Sequence, residues 1–340
     1  MLRLSFDVLS LQTRHPFTIA RGSTTQYRTV RVRLADADGL EGWGEAAPSR
    51  YYGETADTVV AALGRLAEAL PADASDLEGA DAALLRVSPA DAAARSAVSA
   101  ALHDLAGKRL GAPLWKLWGL DPTRAPLTSF TIGLDTPERV QAKVREAAAY
   151  PILKVKVGTP EDAVVLRAVR EVTDKPLRVD ANAGWTAAEA LARLPLLEEM
   201  RVDLIEQPVA PGDVEGLAAV HRASRIPIVA DEACRTAADV PRLAGAADGV
   251  NIKLAKCGSL REALRMVEAA RRHGLSVMVG CMIETSLGIT AAAHLAPLLD
   301  LADLDGAALL ARDPFAGAAI DGGRIALPTS PGLGVTERVA

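Results

Sequence analysis

The sequence contains 340 residues, of which 49% are hydrophobic and 24% are charged, and its formal net charge is −5. This composition excludes a disordered chain and a membrane-spanning protein. The mildly acidic balance, without a run of Lys or Arg, argues against nucleic acid or an anionic membrane as the main partner. No apolar stretch approaches the roughly 18 uncharged residues that a membrane-spanning helix needs. The length suits one large barrel with a smaller domain, or two or three ordinary domains.

The three cysteines, Cys234, Cys257 and Cys281, are far apart and odd in number, and none belongs to a CxxC motif. Such spacing suits neither a disulfide framework nor a zinc site, and it is typical of a reducing compartment. The first residues lack the long apolar stretch and the small-residue cleavage site of a signal peptide. We therefore expect a cytoplasmic protein.

The first part of the chain predicts a small α+β domain. Residues 1–37 predict strands, because apolar and charged residues alternate over 30–34, the period of a half-exposed antiparallel strand. Apolar residues three and four positions apart over 58–70 and 92–105 predict amphipathic helices. A small sheet followed by helices makes an α+β module of about the first 125 residues.

The rest of the chain alternates between short apolar runs, rich in β-branched residues, and helical stretches. Eight such runs occur, about 25 residues apart, at 127–134, 152–158, 177–182, 202–208, 226–232, 249–254, 276–281 and 301–305. Eight strand–helix units predict a closed β/α barrel, and an open doubly wound sheet is the structural alternative. No GxGxxG or GxxxxGK[ST] motif is present, which disfavours a nucleotide-binding open sheet.

Five charged residues lie near the ends of consecutive predicted strands, at Lys156, Asp180, Glu206, Asp231 and Lys253. They are separated by 24, 26, 25 and 22 residues, close to one strand–helix unit each, so they take equivalent places on successive strands. In a barrel this place is the rim where active sites lie. Taken singly, an Asp that ends a strand is more often a cap, and a strand Lys more often points to water. Five in succession at one rim favour a functional site.

The three carboxylates of this series predict a metal site. Asp180, Glu206 and Asp231 lie on neighbouring predicted strands and would repel one another without a cation. Oxygen-only ligands favour a hard ion, and few protein ligands completed by water and substrate suit Mg²⁺ best. An anionic substrate would then bring its own oxygens onto the metal, an arrangement that polarises a carboxylate as negative charge builds on it.

The two lysines of the series predict acid–base chemistry. Strands two and six of a closed eight-stranded barrel are opposite each other, so Lys156 and Lys253 would face each other across the mouth. One amine could remove the proton on the carbon beside a metal-bound carboxylate, and the other could return a proton to the opposite face. This is a 1,1-proton transfer that inverts the centre. The base must be neutral, so its pKa must fall from about 10.4 towards the working pH.

Nearby polar residues have supporting roles in this interpretation. Lys154, on the same strand face as Lys156, supplies a like charge that lowers the pKa of the catalytic amine. Asn182 and Asn251 face inward near the rim and could orient the lysines or the substrate. Lys256 competes with Lys253 for the catalytic role, but it follows the strand end, where a solvated loop lysine is expected.

Together these residues resemble the enolase superfamily, and within it the muconate-lactonizing subgroup. The matching motifs are KVK at 154–156, DAN at 180–182, IEQP at 205–208, ADE at 230–232, NIK at 251–253, GWGEAAP at 42–48 and PGLGV at 331–335. The resemblance implies an enolase-type (β/α) barrel, a modified TIM barrel, over 126–310. It also implies an α+β capping domain over 1–125 and a C-terminal segment, 311–340, that returns to the cap.

The chemistry that the resemblance implies agrees with the interpretation of the individual residues. One Mg²⁺ per subunit would bind the three carboxylates and stabilise an enediolate intermediate, and paired lysines would do the acid–base work. Glu232, in the ADE motif, would take a supporting place beside the metal ligand Asp231.

Within the subgroup the sequence is similar to the dipeptide epimerases, which include the L-Ala-D/L-Glu epimerases. The similarity extends over NIKLAKCG at 251–258 and MIETSLGITAAAH at 282–294. Asp303 and Asp305 match the acidic pair that meets the α-ammonium of a dipeptide, and a helix-capping loop is the structural alternative for them. The implied function is Mg²⁺-dependent inversion of the C-terminal residue of an L-Ala-Xaa dipeptide.

The specificity positions do not select one side chain. In the Ala-Glu epimerases an arginine of the early capping loop meets the side-chain carboxylate of the substrate. That position falls on Gly22 here, and Arg21 precedes it. Arg50 could bind a carboxylate, whereas Tyr52 in the same loop would suit an apolar side chain.

Two other functions stay open at this point. An o-succinylbenzoate synthase or N-acylamino acid racemase of the same superfamily would use the same paired lysines. A catalytically silent barrel that serves as a binding or assembly scaffold would use none of them. Barrels of this type often self-associate, so a homo-oligomer is compatible with the resemblance, although no patch in the sequence marks one.

Overall fold

The chain begins with a three-stranded antiparallel sheet in the computed structural model, which describes residues 2–338. Strands β1 (Arg3–Ile19), β2 (Gly22–Ala35) and β3 (Glu41–Ala46) pair in that order. The predicted alternation is confirmed in β2, where Val30 and Val32 are fully buried. The long β1–β2 hairpin extends beyond this sheet, and its tip lies against the barrel.

Four helices follow the sheet: α1 (Ala56–Ala67), α2 (Leu77–Val87), α3 (Ala92–Arg109) and α4 (Leu114–Leu117). The helices α1 and α3 confirm the two predicted helices, with slightly different ends. The glycines of β3 let α3 approach the sheet closely, because a Cβ on Gly42 or Gly44 would stand 2.1 or 2.0 Å from a carbonyl oxygen of α3.

Eight parallel strands form the second unit and confirm the predicted barrel. They are β4 (Phe130–Ile132), β5 (Leu153–Lys156), β6 (Leu177–Asp180), β7 (Val202–Glu206), β8 (Ile228–Ala230), β9 (Gly249–Ile252), β10 (Ser276–Gly280) and β11 (Leu301–Asp303). They pair in chain order, and a parallel bridge between Thr128 and Ala302 joins the two edges. The open doubly wound sheet is therefore excluded. Inside the barrel, Leu204, Val229 and Met278 form a small apolar cluster.

Helices cover the barrel strands on the outside: α5 (Pro137–Glu146), α6 (Asp162–Arg170), α7 (Ala187–Glu199), α8 (Val214–Ala223), α9 (Val240–Leu243), α10 (Leu254–Cys257), α11 (Leu260–Arg272) and α12 (Ser286–Ala293). After β11 the predicted helical stretch is only a 3₁₀ helix, Gly306–Leu309. Short strands then follow: β12 (Phe315–Ala316), β13 (Ala319–Asp321), β14 (Arg324–Ala326) and β15 (Thr336–Glu337). Between residues 2 and 338, no helix is long and apolar enough to cross a membrane.

The C-terminal segment lies against the helices of the first unit. The Leu333 amide donates to the buried carboxylate of Asp104 at 2.7 Å, and the Leu114 amide donates to the carbonyl of Gly332 at 3.1 Å. Gly332 has a φ of 72°, and a Cβ there would stand 2.1 Å from Asp104 Oδ1. The division into 1–125, 126–310 and 311–340 itself stays a prediction.

Two buried histidines couple the stability of the fold to pH. His294 Nδ1 accepts a hydrogen bond from the Trp115 amide at 3.2 Å, while its Nε2 lies 3.1 Å from the carbonyl oxygen of Leu333, so the neutral ring satisfies both contacts. Burial lowers the pKa of His294, and that of His103, to about 4. In the unfolded chain a histidine binds a proton below a pH of about 6.5. Stability present above that pH is therefore lost as the pH falls towards 4.

We expect the free energy of unfolding to fall by about 2 kcal/mol per buried histidine between pH 7 and pH 5. Urea denaturation at the two pH values measures this loss. His294→Gln removes one titrating group, so the variant should lose less stability than the parent over the same interval. Parallel pH dependence in the two proteins would show that His294 is not neutral in the fold.

Candidate active site

Three buried carboxylates meet at the carboxyl ends of neighbouring barrel strands. Asp180 ends β6, Glu206 ends β7 and lies in register with Asp180, and Asp231 directly follows β8. One oxygen of each carboxylate lies within 4.8 Å of the others. The strand spacing thus brings together the three residues that the sequence predicts to be metal ligands.

The charges of this cluster fit a divalent cation. Burial and the neighbouring charge of Asp180 raise the pKa of Glu206 to about 8, because three carboxylates at this distance oppose full ionisation. Burial also raises the pKa of Asp180. The positive charges of Lys156 and Lys154 outweigh this effect and hold the pKa of Asp180 below its usual range. An oxygen-only donor set with excess negative charge, buried at a barrel rim, suits Mg²⁺.

Strand β5 places two lysines against these carboxylates. Lys156 Nζ lies 2.6 Å from Asp180 Oδ2. Lys154 Nζ lies deeper, 2.6 Å from Asp303 Oδ2, 2.7 Å from Glu206 Oε2 and 3.1 Å from Asp180 Oδ2. Burial opposes the charge on Lys154, but these three carboxylates outweigh burial and raise its pKa well above the usual value. Lys154 is therefore held as a cation beside Lys156, and its tuning role stays a prediction.

Lys253 approaches the cluster from the other flank. It directly follows β9, four strands away from β5, and its Nζ lies 2.6 Å from Asp231 Oδ2. Burial lowers the pKa of Lys253, but Asp231 and Glu206 outweigh it and raise the pKa above the usual value, opposite to the fall that the sequence predicts for a catalytic base. A divalent cation on the same carboxylates would oppose this rise. On the same strand, Asn251 Nδ2 donates to Glu206 Oε1 at 3.0 Å. Lys156 and Lys253 thus contact the first and the last carboxylate of the series.

The expectation for Lys256 is wrong, because this lysine is buried rather than solvated. Its side chain turns back from α10 under the barrel rim. Nζ donates to Asp231 Oδ1 and Asp231 O, both at 2.5 Å, to Asn251 O at 2.8 Å and to Cys234 O at 3.1 Å. With every proton directed to an oxygen of the protein, Lys256 holds Asp231 in place and is not an alternative to Lys253.

Replacing Lys256 with methionine should destabilise the protein strongly. The change leaves a buried Asp231 carboxylate oxygen and three backbone carbonyls without their cation, and breaking a buried ion pair costs about 3–5 kcal/mol. Urea denaturation measures the loss. Lys116→Met is the matched control, because Lys116 is exposed. Equal stabilities for the two variants would contradict the anchoring role.

Asp303 and Asp305 lie on the opposite side of the cavity from Asp231. Asp303 Oδ1 accepts from the Ser129 hydroxyl at 2.7 Å, and Asp305 Oδ2 accepts from the Thr131 amide at 2.6 Å. Burial and the charge of Asp303 raise the pKa of Asp305 to about 7. The side chain of Asp305 does not cap the following 3₁₀ helix. The capping alternative therefore fails for Asp305, and both carboxylates line the cavity, with Asp303 paired to Lys154.

The predicted specificity residues line one cavity of about 740 Å³ together with Lys156, Lys253 and Asp231. Arg50 begins a 3₁₀ helix, Arg50–Tyr52, and is exposed. Tyr52 is half-buried, and the Arg235 guanidinium lies 4.8 Å from its ring centre. Arg21, at the tip of the hairpin, does not point freely into the cavity, since its Nη1 lies 2.9 Å from Glu232 Oε1.

Sequence reasoning did not single out Gln207, which supports the metal site. Its backbone has a φ of 35°, and its Oε1 accepts from the Asp231 amide at 2.8 Å and the Ala233 amide at 3.0 Å. Gln207 therefore joins the ends of β7 and β8. The sequence signal that could have identified Gln207 is its polarity, since a polar side chain directly after Glu206 is unusual at the end of a buried strand. Apolar wall residues such as Ile283 and Leu309 also become apparent only in the structure.

Known proteins share this architecture over the whole chain. The family model of the mandelate racemase / muconate lactonizing enzyme N-terminal domain matches residues 5–119, and the enolase C-terminal domain-like model matches 138–338. The L-Ala-D/L-Glu epimerase of Bacteroides thetaiotaomicron is 43% identical, with 99% of this chain and 88% of that protein covered.

Two solved structures are similar to nearly the full chain. A substrate-liganded complex of the L-Ala-D/L-Glu epimerase from Bacillus subtilis has a TM-score of 0.95 and 31% identity, with 99% of each chain covered. The dipeptide epimerase from Enterococcus faecalis, complexed with Mg and the dipeptide L-Leu-L-Tyr, has a TM-score of 0.93 and 32% identity, with 98% of this chain and 99% of that chain covered. The chain belongs to the mandelate racemase/muconate lactonizing enzyme family of the enolase superfamily.

Proposed function

We propose that the protein is a Mg²⁺-dependent epimerase of L-Ala-Xaa dipeptides that inverts the Cα of the C-terminal residue. The observation that carries the proposal is the placement of two lysines on opposite flanks of one carboxylate cluster, at Asp180 and at Asp231. The relatives support it, since they are epimerases of dipeptides. The size of the cavity, about 740 Å³, accommodates such a ligand.

Asp180, Glu206 and Asp231 would hold the Mg²⁺. The ion supplies a Lewis acid that stabilises negative charge on the substrate carboxylate while the Cα proton is absent. The protein fixes the donors before the substrate arrives, because Gln207 and Lys256 anchor Asp231 and Asn251 anchors Glu206.

Lys156 and Lys253 exchange protons with the two faces of the substrate Cα. In one direction the neutral amine on one flank removes the proton, and the ammonium on the other flank delivers one to the opposite face. In the reverse direction the two roles are exchanged.

Asp303 and Asp305 bind the α-ammonium of the dipeptide in this proposal. Both are buried and line the cavity, and a zwitterionic peptide supplies a cation for Asp305, whereas Asp303 is already paired with Lys154. The C-terminal side chain would then extend towards Arg50, Tyr52 and the apolar wall of Ile283 and Leu309. This wall carries both a cation and apolar surface, so it does not select one substrate by itself.

A dipeptide library tests the function directly. L-Ala-L-Xaa substrates incubated with the enzyme and Mg²⁺ in heavy water should gain one mass unit at the C-terminal residue, and mass spectrometry detects the gain. The absence of exchange across a broad library would remove this function. Cytoplasmic location and self-association into a homo-oligomer stay predictions from the sequence.

Asp305→Asn separates dipeptide epimerisation from N-acylamino acid racemisation, because Asp305 has no Lys or Arg nitrogen within 4.0 Å among residues 2–338, whereas Asp303 is paired with Lys154. We expect kcat/KM for dipeptides to fall about 100-fold, because the substrate ammonium loses a buried charged partner. An N-acylamino acid has no ammonium, so its turnover should scarcely change. Equal losses for both substrates would contradict an ammonium-binding role, and steady-state polarimetry on the two substrates makes the comparison.

A further inference from the structure

Arg21 connects the capping hairpin to the carboxylate cluster of the barrel. It lies at the turn between β1 and β2, and its Nη1 donates to the Asn182 carbonyl at 2.5 Å and to Glu232 Oε1 at 2.9 Å. The guanidinium also lies 4.2 Å from the ring centre of Tyr51. A side chain of the first unit therefore binds two loops of the second.

Both acceptors are adjacent to metal-ligand positions. Asn182 lies two residues after Asp180 and donates two hydrogen bonds to its carboxylate. The backbone amide of Asn182 donates to Oδ1 at 2.8 Å, and the side-chain Nδ2 donates to Oδ2 at 3.2 Å. Its φ is 47°, and that of Ala183 is 62°, a left-handed conformation that costs free energy for residues with a Cβ. Such a turn persists only when surrounding contacts hold it, and the bond from Arg21 to the Asn182 carbonyl is one of them.

Glu232, the second acceptor, depends on Arg21 for its charge balance. Its side chain is 3% exposed, and between residues 2 and 338 no other Lys, Arg or His nitrogen lies within 4.0 Å of its carboxylate. Its Oε2 has no hydrogen-bond partner, and Asn182 Nδ2 is 3.5 Å from Oε1. Without Arg21, a buried carboxylate next to Asp231 would be left unpaired.

We propose that Arg21 is a positioning residue that couples docking of the cap to the arrangement of the metal ligands, rather than a reader of the substrate side chain. The proposal rests on the proposed function for its kinetic consequences. Arg21 acts through the Asn182 turn on Asp180 and through Glu232 on the segment of Asp231. Because both contacts come from one side chain of the hairpin, displacement of the hairpin would break them together.

Hydrogen exchange tests the coupling without substrate or metal. In Arg21→Met we expect the amides of 181–185 to exchange at least about tenfold faster than in the parent, since opening of a turn follows the loss of the contacts that hold it. Arg28→Met is the matched control: Arg28 lies in the same hairpin, but its ion pair with Asp57, at 3.1 Å, is exposed. Unchanged exchange in Arg21→Met, or equal acceleration in the control, would overturn the coupling.

Kinetics distinguish positioning from specificity. In Arg21→Met, kcat should fall on the order of 100-fold for both L-Ala-L-Glu and L-Ala-L-Leu, because misplaced catalytic groups slow every substrate. The ratio of the two kcat/KM values should stay the same. The combined loss in the double variant Arg21→Met with Glu232→Gln should be smaller than the product of the two single losses, since the two changes share one of the two contacts of Arg21. A loss confined to the glutamate substrate would overturn the proposal. If the parent turns over no dipeptide, the dipeptide function fails, whereas the exchange result still decides the coupling.

Discussion

Replacing either Lys156 or Lys253 with alanine is expected to lower the rate of epimerisation by a factor on the order of 10³ or more. Each variant removes the proton donor or acceptor from one flank of the substrate while the other flank is kept. Epimerisation needs both faces, so the two losses should be similar in size. Polarimetry or chiral chromatography on a turned-over dipeptide measures them.

The two variants should differ in the exchange that remains. With one lysine left, the enzyme can still remove and return a proton on a single face of the substrate. Each variant should therefore catalyse solvent exchange into one stereoisomer only, and the two variants should select opposite stereoisomers. Lys116→Ala, at an exposed lysine, is the control for the loss of a cation in general. Full activity in both site variants would instead support a silent scaffold.

Glu206→Gln is expected to abolish turnover, with a loss on the order of 10³ or more, and to weaken the binding of Mn²⁺, a spectroscopic substitute for Mg²⁺. Glu206 is the central carboxylate of the three, and the amide keeps the shape of the side chain while removing its charge. Electron paramagnetic resonance of free Mn²⁺ measures the binding, and circular dichroism checks the fold.

Removal of divalent cations from the parent protein should also abolish turnover, and this loss should be reversible. Excess EDTA should stop turnover, and added Mg²⁺ should restore it. Binding of Mn²⁺ by Glu206→Gln as tightly as by the parent would contradict a ligand role for Glu206. Activity that persists in excess EDTA would contradict the metal-dependent function as a whole.

The barrel and its rim could be predicted from the sequence because both depend on local periodicity. A charged residue near the end of each apolar run, one strand–helix unit apart, places Asp180, Glu206 and Asp231 at one edge whatever the intervening helices do. Lys154 and Lys156 are two residues apart, and side chains on a strand alternate between its two faces, so the sequence also predicts that these two lysines share one face of β5.

Contacts that depend on tertiary packing were not predictable in the same way. Lys256 follows a strand end, where position alone indicates a solvated lysine, yet a single turn of helix folds it back under Asp231. The partner of Arg21 lies 211 residues away in another structural unit. No local pattern contains such a pairing, so the sequence could mark Arg21 as a residue of the cavity but could not give its contacts.

The most direct test of the two-lysine arrangement is the isotope content of the inverted product in heavy water. Two amines on opposite faces predict that essentially every inverted molecule carries one deuterium at Cα from the first turnover, because the proton that leaves and the deuteron that arrives use different nitrogens. Mass spectrometry of the separated stereoisomers at early times gives this fraction. Inverted product that retains its original protium would show one group serving both faces, and it would contradict the account.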